Sequence, residues 1–106
     1  MTRKEKGTKL EQYIANKLIG FGDKFARPTR GSGNSTEIGD IYSKDFFVEC
    51  KSKDKKNIVM DRLIIQHLKD QIPINSDRVP FWVYENKFEE KYIIIDADNF
   101  FRIIKK

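Results

Sequence analysis

The sequence predicts one α/β domain in which helices flank a central mixed β-sheet, in the order α-β-β-β-α-β-β-α. Three observations carry that reading. Two stretches repeat their apolar residues at helical spacing, and the segments between and after them hold short apolar runs bounded by turn residues. The 106 residues suffice for one modest core and leave no room for a second domain. Hydrophobic residues make up 39 % of the chain and Phe occurs eight times, which separates it from disordered basic tails.

The first helix is expected from Thr8 to Phe21, where Leu10, Tyr13, Ile14, Leu18 and Phe21 recur on one face. Thr8 and Glu11 match a capping box, and Gly20 and Gly22 mark the exit. Residues 1–7 are then a flexible basic lead. Lys24 to Thr29 reads as a short strand ended by Pro28, and residues 30–36 form the loop. Asp40–Ser43 and Phe46–Ser52 read as strands around a tight turn at Lys44-Asp45.

A second amphipathic helix is expected over Val59–Ile72, closed by Pro73. Pro80 opens a strand through Tyr84, and Tyr92–Ile95 forms another. Both are apolar enough to be covered on two faces. Asp98 is positioned to cap a last helix carrying Phe100, Ile103 and Ile104.

Charge narrows the partners. Lys and Arg number 21 against 16 Asp and Glu, a formal +5, and the whole excess lies in the first thirty residues. Such a face suits a polyanion. No apolar run approaches the ~18 residues of a membrane span, and the basic start does not read as a secretory signal. A single cysteine and a single histidine leave neither an internal disulfide nor a Cys- or multi-His zinc site within one chain. An intracellular, cytoplasmic, DNA-associated protein is the expectation.

The hairpin concentrates the chemistry. If Lys44-Asp45 is a two-residue loop, Ile41 faces Val48, Tyr42 faces Phe47 and Asp40 faces Glu49. Strand alternation adds Lys51 to the face of Glu49, and sends Cys50 toward the core with Val48. Opposed carboxylates repel, and a divalent cation would offset that repulsion. Mg²⁺ suits sparse oxygen ligands and can activate water at a phosphodiester. Lys51 is placed to steady developing negative charge. Two carboxylates near a turn also occur as ordinary surface residues, and a longer loop would shift the register.

Gly39-Asp40 followed by Glu49-Cys50-Lys51 resembles the PD-(D/E)xK nucleases, with glycine where the motif's name has proline. Within that superfamily the chain is most similar to small Holliday junction resolvases of archaeal and phage type. The shared features are a helix-one glutamate, the Arg30-Gly31-Ser32-Gly33 loop before the aspartate, and Gln66 on the helix after the lysine.

The resemblance implies a restriction-endonuclease-like fold and a homodimer that cuts branched DNA. It implies Mg²⁺, with Mn²⁺ able to substitute, held by Asp40, Glu49, the Cys50 carbonyl and Glu11, with Lys51 completing the catalytic set. Arg27, Arg30, Ser32, Lys53, Lys55, Lys56 and Gln66 are the candidate DNA contacts. Nicking, flap-cutting or restriction-like endonucleases share the same motif. A non-catalytic basic nucleic-acid-binding module is the alternative outside that class.

Overall fold

The computed structural model describes residues 2–29 and 37–105. The elements run α1 (Arg3–Gly20), β1 (Arg27–Pro28), β2 (Ile41–Tyr42), β3 (Phe46–Ser52), α2 (Arg62–Gln71), β4 (Val79–Glu85), β5 (Lys91–Ile94) and α3 (Ala97–Ile104). This is the order expected from the sequence. The sheet is mixed, with strands in spatial order β1-β2-β3-β4-β5. Only the β3–β4 pair is parallel, and α2 makes the crossover that such a pair needs.

The hairpin register came out as read: Ile41 pairs with Val48 and Tyr42 with Phe47. Because β3 is pleated, its two sets of side chains build two cores. Val48 packs with Leu10, Ile14 and Ala15 of α1 and with Ile41, Phe81 and Val83. Phe47 packs on the other side with Trp82 and with Leu68 of α2. The two helices therefore cover opposite faces, and β4 between them is buried along its whole length. Pro80 is tolerated inside this strand because β5 joins the ladder only from Trp82 onward, leaving a neighbour on one side alone.

Several expectations need correction. The helix starts six residues earlier than Thr8 and Glu11 suggested. Thr2 is the N-cap and Glu5 completes the capping box, so Arg3 to Gly7, read as a flexible lead, are helical. Thr8 instead donates its hydroxyl to the Lys4 carbonyl. The helix α2 begins after Asp61, whose side chain accepts the Leu63 N–H, and so is shorter than Val59–Ile72. The N-cap of α3 is Asp96, with Asp98 one step inside the first turn. Finally, β5 is an edge strand with Tyr92 and Ile93 exposed, so its apolar run does not mark a strand covered on two faces. Among the described residues no helix is long and apolar enough to cross a membrane.

Candidate active site

The turn into β2 fixes the first acid. Gly39 has φ +78°, and a Cβ there would stand 2.5 Å from the Val48 carbonyl oxygen. Proline, locked near −65°, cannot adopt this backbone, which accounts for glycine where the motif's name has proline. The close approach lets Asp40 N–H donate to that same Val48 oxygen at 2.7 Å. The Asp40 carboxylate in turn accepts the Cys50 N–H at 2.7 Å, while its carbonyl accepts the Thr29 N–H at 2.9 Å. Asp40 is thus held from both flanking chain segments.

Glu49 follows from the pleat. It lies on the α2 face of β3, in register with Trp82, and only 8 % of it is exposed. Its Oε2 is buried without a hydrogen-bond partner. Burial pushes its carboxyl above the ordinary range, the Asp40 charge adds to this, and Lys51 and His67 oppose it. Lys51, two residues on and half-buried, shares that face.

Glu11 enters from α1. Leu10 is the buried anchor of the helix, and the next residue is carried to the rim of the same cluster. Burial and the neighbouring Asp40 charge push its carboxyl up to about 7. Glu11, Asp40 and Glu49 are therefore one electrostatic group contributed by three elements, with Lys51 beside it.

Cys50 faces the α1 core, as expected. Burial raises its thiol far above the usual value, and the surrounding carboxylates Asp40, Glu11, Glu49 and Glu85 add to the effect, so it stays protonated. Its role here is through its backbone.

The outer contacts divide. Arg27 is ion-paired with Glu37, donates to the Pro28 carbonyl at 3.2 Å, and lies 5.5 Å above the Tyr42 ring. Lys53, Lys55 and Lys56 are exposed on a segment laced to the end of β4. Its ties are Lys53 N–H to Glu85 at 2.9 Å, Lys87 N–H to Lys55 at 2.9 Å, and the Asn86 amide to Lys56 at 3.2 Å. Gln66 is exposed, and its amide donates to Asp70 one turn along α2 at 2.8 Å. His67, set aside at the sequence level as a surface or half-buried residue, is the α2 side chain whose charge reaches Glu49. Its position next to buried Leu68 and one turn from Ile64 was the available signal. Arg30 and Ser32 lie outside the described residues.

Neither family models, curated proteins nor solved structures return a significant match to this chain. The local chemistry is then the only guide to a ligand. Among the described residues no group of three or more His, Cys, Asp or Glu side chains is gathered tightly enough to cage an ion. The donor set is nonetheless suited to a hard cation: carboxylate oxygens only, one of them buried and unpartnered. An ion that keeps waters and shares ligands with a bound phosphate needs no protein cage.

Proposed function

We propose that this protein is a Mg²⁺-dependent, structure-specific DNA endonuclease with a restriction-endonuclease-like layered fold, a Holliday junction resolvase that works as a homodimer. The observation that carries the reading is the buried, unpartnered Glu49 oxygen, grouped with Asp40 and Glu11 and flanked by Lys51. Burying carboxylates together is costly, and a fold maintains such a cluster where a cation or catalysis uses it. The motif order Asp40, Glu49, Lys51 within an α-β-β-β-α-β-β arrangement supports the nuclease class.

Asp40, Glu49 and the Cys50 carbonyl would hold Mg²⁺, with Mn²⁺ able to substitute, and Glu11 would join directly or through water. When bound, the ion supplies a polarised water and offsets charge on the scissile phosphate. Asp40 is kept in place by the Cys50 N–H, so the metal-facing carboxylate does not have to reorganise. Lys51 places an ammonium beside Glu49, where it offsets the negative charge that builds on phosphorus oxygens during in-line attack. Glu11, protonating near neutrality, orients water at the rim of the cluster.

The test is cleavage of a four-way junction beside linear duplex and flap DNA, with Mg²⁺ or with EDTA. Symmetric paired nicks that require the metal are expected. D40N and K51A should each lower the rate by at least about 100-fold while DNA binding survives. Preference for flaps or duplex would move the chain to another nuclease geometry. Intact DNA under every condition, with binding retained, would leave a non-catalytic module.

A further inference from the structure

Beyond the carboxylates, α1, the end of β3 and the β4–β5 turn enclose a cavity of about 180 Å³. Its walls carry Lys6, Lys9, Lys53 and Lys87, and none of these four ammonium groups has an ion-pair partner among the described residues. Lys6 and Lys9 are three apart on α1 and project on one side of it. The floor is different. Glu85, almost fully buried, accepts the Ser52 hydroxyl at 3.1 Å and pairs with Lys91 at 3.0 Å. The acid in the cavity is therefore already matched by its own lysine, and the four lysines above it are surplus positive charge.

Their placement is built rather than incidental. Lys53 and Lys87 sit on two segments zipped by the Lys53 N–H to Glu85 and Lys87 N–H to Lys55 bonds, each 2.9 Å. Asn86, buried beneath them, donates to Lys56 at 3.2 Å and to Glu90 at 2.7 Å and accepts the Phe88 N–H at 3.0 Å. A concave, preorganised group of lysines with its acid neutralised suits an oxygen anion.

The cavity is also in line with the acids. Ser52 lies three residues beyond Glu49 on β3, a rise of about 10 Å, which matches roughly three nucleotides along one strand of DNA.

We propose that this cavity is a phosphate-anchoring subsite: Lys6, Lys9, Lys53 and Lys87 grip a non-scissile phosphodiester of the strand that lies across Asp40 and Glu49. The assignment rests on the nuclease reading for the strand's path, but its test does not need cleavage. Binding of the full chain to a four-way junction in EDTA is measured from 50 to 300 mM salt, for wild type and for the K9Q/K53Q/K87Q variant. A control, K17Q/K24Q/K44Q, removes the same net charge from exposed lysines that do not line the cavity.

The cavity variant should show a log–log salt slope shallower by about 2–3, at ~0.9 per lost phosphate contact, and the control by less than about 1. Equal effects of both variants, or an unchanged slope in the cavity variant, overturn the proposal. So does stabilisation of the wild type by inorganic phosphate alone with no change in DNA slope, which would mark a free-anion site. Absence of cleavage with the expected slopes would sink the nuclease reading and leave the subsite standing.

Discussion

Single residues set the limits of this site. Gly39 combines a positive φ with a Cβ position 2.5 Å from backbone oxygen, so any side chain must push β2 away from β3. Gly39→Ala is expected to destabilise the fold by about 2–3 kcal/mol in urea unfolding, from the left-handed backbone and the forced shift. It should also weaken cleavage, because Asp40 moves with its neighbour. Glu11 gives a pH prediction. Its carboxyl is raised from 4.5 in the unfolded chain to about 7 in the fold, by burial and then by Asp40. Between those values the folded state holds more protons than the unfolded state, so stability falls as pH rises through that window. Thermal melts from pH 4 to 8 should show this decline in metal-free wild type and a smaller one in E11Q. Addition of Mg²⁺ at pH 8 should restore wild-type stability and fail to do so in D40N. At this scale the sequence exposed Asp40, Glu49 and Lys51 because strand alternation is a strict period of two. Charged residues stand out from the apolar run of β3. It did not single out His67, whose approach to Glu49 depends on where α2 crosses the sheet, a tertiary fact.

At the level of elements, short-range signals were legible where geometry left few choices. A two-residue turn fixes the register of its hairpin, so the Ile41–Val48 and Tyr42–Phe47 pairs followed directly. Helix starts were not so constrained. Thr8-x-x-Glu11 and Thr2-x-x-Glu5 are both capping boxes by pattern, and the chain extends the helix to the earlier one, adding two turns whose lysines line the cavity. The apolar run of β5 misled for another reason, since composition cannot distinguish an inner strand from an edge whose exposed residues await a partner. The hairpin tip carries a device that no periodicity reveals. Asp23, buried after α1, accepts the Ser43 hydroxyl at 2.6 Å and the Lys44 N–H at 3.1 Å, and Ser43 in turn accepts the Phe46 N–H at 3.2 Å. Asp23→Ala leaves a buried hydroxyl and an amide without their acceptor, so a loss of about 1–3 kcal/mol is expected in chemical denaturation. Because this anchor lies at the opposite end of β3 from Glu49, the metal requirement of cleavage should be unchanged in that variant.

On the scale of the whole molecule, the basic excess and the apolar excess lie on different surfaces. The lysines gather where α1 begins and where β3 and β4 end, around the carboxylates. Apolar exposure gathers elsewhere. The helix α3 has no buried residue and presents Phe100, Phe101 and Ile104, with Phe101 63 % exposed. The edge strand β5 adds Tyr92 and Ile93, and between it and α1 runs an apolar groove of about 570 Å³ reaching Leu18 and Phe46. Lys17 and Lys91 rim that groove, while Asp98 stands in the first turn of α3, so helix and groove are complementary in charge as well as in polarity. A chain that carries both halves of such a contact can close it symmetrically with a second copy, and a two-fold substrate such as a four-way junction requires two sites facing one substrate. The double variant F101E/I104E places two acids on the α3 face and should be a monomer in analytical ultracentrifugation, with wild type a dimer. Its active-site residues are untouched, so on a four-way junction it should retain metal-dependent nicking of single strands while losing the coupling that makes the two nicks symmetric. A wild-type chain that sediments as a monomer and still makes paired nicks would show that the two sites act without this interface.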